Sequence, residues 1–249
     1  MKLCGNLRLI DKGAKMNNIN ENIKKITDIK NTASQKAGRN GDEILLCAVT
    51  KTRTADEINE AIKAGITDIG ENRVQEIIEK YEYVDAVKWH MIGHLQTNKV
   101  KYIIDKVDLI HSVDSMRLAE EINKRARQHG IVMDVLIQIN PAMEESKFGV
   151  AAEDTKTLID NILANCSNIQ IKGLMCMTPF DEDPEDSAVY FKQVKKLYDE
   201  LKAEKQHERL KFKILSMGMS HDFEVAINEG SNLIRIGTAI FGERNSRND

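Results

Sequence analysis

Apolar and polar positions alternate along this chain on two periods that take turns. After a stretch at residues 18–37 that reads as an opening helix, the first short apolar run covers residues 44–50. It gives way to Thr54-Ala55-Asp56-Glu57, a capping-box pattern in which threonine hydroxyl and glutamate carboxylate each accept from the other's backbone N–H. A helix is expected to start there, with Ile58, Ala61 and Ile62 on one face. The alternation then repeats. "TDIG" precedes a helix carrying Val74, Ile77, Ile78 and Tyr81, and "KWHMIG" at 88–93 precedes "NKVKYIIDKV". "LIHSV" at 109–113 precedes a helix through Leu118 and Ile122 that Gly130 terminates. The fifth run, "MDVLIQIN" at 133–140, is closed by Pro141, which has no N–H to give to a ladder. "IQIKGLMCM" ends at Met177 before a long charged helix reaching residue 206, and the short helix "HDFEVAINEG" separates "FKILSMG" from "LIRIG".

Strand-then-helix alternation requires parallel strands joined by crossover helices, and the apolar runs suit strands covered on both faces. Eight such units close into an α/β fold of the (β/α)8 TIM-barrel type. The alternative is an open doubly wound sheet, but no GxGxxG follows the first strand. With only 3 prolines in the chain and no Pro-, Gly- or Ser-rich linker, residues 17–245 are expected to form a single barrel domain. "MKLCGNLRLIDKGAK" has neither the apolar core nor the cleavage site of a signal peptide, so residues 1–16 are read as an N-terminal extension.

Charge narrows the function. Lys and Arg number 36 against 39 Asp and Glu, so there is no basic excess to advertise nucleic acid. No apolar run approaches the roughly 18 residues of a membrane span. Cys4, Cys47, Cys166 and Cys176 are scattered with no CxxC pair and no His at ligand spacing, which argues for a reducing cytoplasm and against a structural metal.

In a barrel of this type chemistry sits at the carboxyl ends of the strands. That rule selects Lys51, then Glu71 and Asn72, His94, Asn140, Met177 and Thr178, the segment 216–220, and Gly237 with Thr238; Arg235 lies inside the last strand on the same side of the pleat as Gly237. A lysine at a strand end ordinarily snorkels to water. Partly desolvated at a barrel mouth, its neutral amine would instead attack an aldehyde to form a Schiff base. The loops "SMGMSHD" and "RIGTAIFGER", after strands seven and eight, occupy the usual phosphate position of such barrels, with Ser220, Gly237 and Thr238 at helix starts. Taken singly, Ser220 as a helix cap and Gly237 as a turn are the plainer readings; together they favour a dianion. Arg235 needs an acceptor, either a buried ion pair with Glu71 or Asp222 or a ligand ring nitrogen. An aldehyde for Lys51, a phosphate for Ser220 and Gly237, and a ring nitrogen for Arg235 all occur in pyridoxal 5′-phosphate (PLP).

"AVTK", "GENRVQE", "WHMIGHLQTNK" and "SMGMSHDFEVAINEGSNLIRIGTAIFGER" together resemble the pyridoxal phosphate homeostasis proteins, relatives of the barrel domain of alanine racemase, over residues 17–244. The resemblance implies PLP held as a Schiff base on Lys51, the phosphate on Ser220 and the backbone of Gly237 and Thr238, Arg235 facing the pyridine nitrogen, and Asn72 lining the pocket. Met91 stands where the family often has Phe, a change expected to affect packing more than chemistry. His90 and His94 flank the site and are left unassigned.

Two functions follow from different classes. One is a PLP-dependent amino-acid racemase or decarboxylase, with Lys51 as base. The other is a PLP-binding module of vitamin B6 homeostasis without turnover, with PLP-dependent apoenzymes as recipients. Two-base racemisation needs donors on opposite faces of the carbanion, and alanine racemase draws the second from an added domain and a neighbouring subunit. Here the barrel uses up the sequence, so the carrier is favoured and a monomer expected. An arginine opposite the ring nitrogen also weakens the ring as an electron sink.

Overall fold

The structure is a computed structural model that describes residues 18–144, 148–179, 183–204 and 207–243. The expected extension, residues 1–16, lies outside the described residues, as do the ends of the expected domain at residues 17 and 244–245. Eight parallel strands, β1 (Leu45–Val49), β2 (Asp68–Glu71), β3 (Lys88–Met91), β4 (Leu109–Val113), β5 (Met133–Ile139), β6 (Ile169–Cys176), β7 (Leu210–Ser216) and β8 (Leu233–Ile236), close into a barrel in chain order. The seam pairs β1 with β8, setting Cys47 opposite Arg235. This is the expected (β/α)8 architecture.

The helices are α1 (Ile19–Lys36), α2 (Ala55–Lys63), α3 (Val74–Lys80), α4 (Met116–Gln128), α5 (Thr155–Asn165), α6 (Ala188–Glu204), α7 (Phe223–Asn228) and α8 (Thr238–Phe241). The capping box forms as read: Thr54 accepts from the N–H of Glu57, whose carboxylate accepts from the N–H of Thr54. Such a cap stabilises the helix by about 1 kcal/mol. The third unit departs from expectation, since "NKVKYIIDKV" opens with a 3-10 segment (Thr97–Tyr102) instead of an α-helix. Gln96 gives it no side-chain cap, and the β-branched Val100, Ile103, Ile104 and Val107 are all buried against the barrel.

Two apolar layers result. The larger lies between the outer strand faces and the helices and includes Met91, Ile69, Ile77 and Phe191; Met91 is fully buried there, away from the barrel mouth. The smaller fills the barrel itself with Cys47, Leu109, Leu136, Met175 and Leu233. Asn22 of α1 donates to the carbonyl of Ile240 in α8, tying the opening helix to the closing one. Among the described residues, no helix is long and apolar enough to cross a membrane.

Candidate functional site

The six residues expected to hold the cofactor, Lys51, Asn72, Ser220, Arg235, Gly237 and Thr238, line one cavity of about 680 Å³. Val49, Ile92, Met177, Met219 and Ala239 supply its apolar wall. Each polar group arrives on a differently braced element.

Lys51 follows β1 in a turn set from outside the barrel. Thr52 has φ +64°, a left-handed conformation costly for a β-branched residue, roughly 1–3 kcal/mol. Its N–H donates to Glu76 Oε2 at 2.6 Å, and Lys80 donates to the carbonyl of Thr50 at 3.0 Å. These charge-assisted bonds from α3 offset the strain and hold the turn that presents the lysine. Asn72 is fixed from the other side. A Cβ on Gly93 would lie 2.3 Å from the Asn72 carbonyl oxygen, so only glycine lets the end of β3 approach so closely.

The loop after β7 does not use Ser220 as a helix cap. The helix α7 starts later, at Phe223, with Asp222 at the N-cap position. Asp222 instead braces the loop: one carboxylate oxygen accepts from the N–H of Met219 at 2.6 Å, the other from the hydroxyl of Thr178 at 3.1 Å. Gly218 makes the turn, with φ +91° and Ala226 Cβ only 2.6 Å from where its own Cβ would be. Ser220 Oγ accepts from the N–H of Gly237 at 3.3 Å, so the two loops meet as one group of small polar atoms. Thr238 and Ala239 open α8, where first-turn N–H groups have no acceptor within the helix.

Arg235 is 4% exposed, and burial lowers its pKa. It does not pair with Glu71 or Asp222. Its guanidinium donates to the Ser216 carbonyl at 2.9 Å, Ser216 Oγ at 2.6 Å and the Cys176 carbonyl at 2.9 Å. Glu71 projects from the outer face of β2, where it accepts from Thr50 and Lys80. Asn140 donates within its own loop to the Glu144 carbonyl, and His94 stacks on Phe148 with ring centroids 3.6 Å apart. Sequence reasoning missed Arg53 and His221 as lining residues. Arg53 was hidden in the turn after Lys51; it reaches back to the Gly242 carbonyl at 2.6 Å and lies over the Phe241 ring. Among the described residues, no cluster of three or more His, Cys, Asp or Glu is arranged to hold a metal ion.

The family model for the alanine racemase N-terminal domain matches residues 17–245. A pyridoxal phosphate homeostasis protein of Aquifex aeolicus is 45% identical over 90% of this chain and 97% of its own, and one of Haemophilus influenzae is 35% identical over 92% and 97%. The chain belongs to the pyridoxal phosphate homeostasis protein family. Among solved structures, PipY of Synechococcus elongatus, solved with PLP bound, superposes with a TM-score of 0.78 at 31% identity, covering 90% of this chain and 100% of PipY.

Proposed function

We propose that the cavity binds pyridoxal 5′-phosphate, with Lys51 Nζ joined to the aldehyde carbon as a Schiff base formed with loss of one water. In this reading the protein holds and releases the cofactor within vitamin B6 homeostasis, to PLP-dependent apoenzymes, and turns over no substrate of its own. The carrying observation is that an amine, a hydroxyl-and-amide group and a guanidinium converge on one cavity from the first, seventh and eighth strands. Its volume is in the range of small-ligand sites. The family relationship and the PLP carried by PipY support the same ligand.

When bound, the cofactor supplies an aldehyde and an electron-withdrawing ring. The protein's residues do the rest. Ser220 Oγ and the N–H groups at the start of α8 suit a phosphate, with the Arg53 charge nearby. Arg235 can only donate, so a ring nitrogen facing it accepts and carries no proton. Lys51 is the lining amine, and His221 enters from the same turn as Ser220, on the phosphate side. That arrangement binds and orients, and gives little for proton traffic on two faces of a carbon.

A visible spectrum of the purified protein before and after borohydride, with peptide mapping of the reduced adduct, tests the reading. The adduct is expected on Lys51, and Lys51→Ala is expected to lose the colour. A reduced adduct mapping elsewhere, or unchanged colour in the variant, overturns it.

A further inference from the structure

Arg235 poses a question of charge. It is a buried guanidinium, and among the described residues no carboxylate lies within ion-pair distance of it. The thiols near it are no substitute: burial pushes Cys47 far up and Cys176 up to about 12, so neither is a thiolate. Asp222 is occupied by Met219 and Thr178.

A continuous chain of hydrogen bonds leads instead from Arg235 across the inside of the barrel. Arg235 lies 2.6 Å from Ser216 Oγ; Ser216 Oγ lies 3.2 Å from His111 Nδ1; His111 Nε2 lies 3.0 Å from His90 Nδ1; and His90 Nε2 lies 3.1 Å from Asp68 Oδ1. All five residues are buried, none more than 4% exposed. They come from β8, β7, β4, β3 and β2.

The direction of every bond is determined from the arginine end. A guanidinium has no acceptor, so Arg235 donates to Ser216 Oγ. Among the described residues, the remaining partner of the Ser216 hydroxyl is His111 Nδ1, which must therefore accept. His111 then carries its proton on Nε2 and donates it to His90 Nδ1. His90 in turn carries its proton on Nε2 and donates to Asp68, whose other oxygen accepts from Thr67 Oγ1 at 2.6 Å. The opposite direction would leave Ser216 Oγ accepting twice with its own hydrogen unplaced. Two further properties agree. Burial, His90 and Arg235 all hold His111 well below the ordinary imidazole range. Burial would raise Asp68, yet the bonds from His90 and Thr67 bring its carboxyl below the ordinary value, as a carboxylate terminus requires.

We propose that Ser216, His111, His90 and Asp68 form a one-way hydrogen-bond relay that gives Arg235 its counter-charge at a distance and fixes the guanidinium plane at the cavity floor. These are positioning residues, and none has to touch the cofactor. An adjacent carboxylate would tie up the guanidinium in a salt bridge; a relayed one leaves it a donor toward the cavity while keeping it charged. The assignment to ring-nitrogen positioning rests on the proposed PLP reading, but the relay itself does not.

Two measurements on the full chain separate the two. Histidine 15N NMR of the protein without cofactor is expected to show His111 and His90 both with the proton on Nε2 and Nδ1 as acceptor; a proton on Nδ1 of either ring overturns the relay. The second measurement is PLP titration followed by absorbance. His111→Gln keeps one acceptor and one donor and is expected to match wild type, whereas His111→Leu and Ser216→Ala are expected to weaken binding about tenfold and shift the bound absorbance maximum. Should the leucine variant fail to fold, the smaller Ser216→Ala change reads the same link. Equal loss in His111→Gln and His111→Leu, or none in His111→Leu and Ser216→Ala, overturns the positioning role. Absence of PLP binding in wild type would instead defeat the proposed function and leave the NMR result to judge the relay.

Discussion

Lys80 Nζ lies 2.8 Å from the fully buried carboxylate of Glu71, on the outer wall of the barrel behind the turn that carries Lys51. The lysine also reaches Glu76 at 2.6 Å, which itself receives the strained N–H of Thr52. Buried charge thus sets the backbone at the mouth without entering the cavity. The arrangement has a cost, because Glu71 Oε2 is buried with no hydrogen-bond partner among the described residues.

That cost is readable in pH. Burial pushes the Glu71 carboxyl from its ordinary 4.5 up to about 7, against the pull of Lys80. Between those two values the folded state holds a proton that the unfolded state has released, so this group's contribution to stability falls as pH rises through the window. Denaturant unfolding of wild type and Glu71→Gln between pH 5 and 8 is expected to show the extra wild-type loss, on the order of 1–3 kcal/mol, absent from the variant. Parallel pH profiles would refute the assignment of this slope to Glu71.

The two-loop phosphate reading makes a prediction about ligands as well as residues. Ser220→Ala removes one hydroxyl from the group that Gly237 closes. It is expected to weaken PLP binding by about 10- to 100-fold while leaving binding of pyridoxal, which lacks the phosphate, unchanged. Isothermal titration with both ligands checks this, and an equal loss for both would place the serine elsewhere than the phosphate.

The barrel was legible because its signal is repeated. Lys51, Asn72 and Gly237 were found by counting to the end of each strand, and Arg235 by its parity with Gly237; neither rule needs tertiary detail. The relay was not found, although its members sit at inward-facing positions of their strands. "LIHSV" reads as an apolar strand interrupted by two polar residues, and nothing in its sequence shows that His111 meets His90 on one side and Ser216 on the other. Glu71 shows the converse. Position alone allowed it to pair with Arg235, but a one-residue change of parity from Gly70 puts it on the outer face, with Lys80. The charge of a partner can be read from a sequence; the face on which it arrives depends on the pleat. The third unit follows the strand-then-helix rhythm only in part, since a 3-10 segment at Thr97–Tyr102 opens where an α-helix was expected.

Gly93 links the fold to the site. Its missing Cβ leaves room for the Asn72 backbone, whose carbonyl oxygen and Cα would otherwise lie 2.3 and 2.7 Å away. Since the obstacle is main chain, it cannot swing aside as a flexible side chain would. Gly93→Ala is expected to destabilise the fold by about 1–3 kcal/mol and to weaken PLP binding, because Asn72 lines the cavity. Thermal unfolding and a PLP titration measure the two effects; an alanine variant that melts and binds like wild type would show that the segment after β3 accommodates the methyl group.

The division between carrier and enzyme can be decided by turnover. Racemisation needs one group to remove a proton from carbon and another to return it on the opposite face. Among the described residues that line the cavity, Lys51 and His221 are the side chains suited to such traffic, and no tyrosine or carboxylate joins them. His221 stands next to Ser220 in the loop after β7, which Asp222 braces by accepting from the N–H of Met219. In the proposed reading Arg235 would donate toward the ring nitrogen and so leave the electron sink weak. Incubation of the PLP-loaded protein with the common L- and D-amino acids, followed by chiral chromatography, is therefore expected to give turnover at least ~10³-fold below the roughly 10 s⁻¹ of a typical enzyme. Racemisation at ordinary enzyme rates, lost in Lys51→Ala and in His221→Ala, would make these two residues an acid–base pair and the protein a racemase.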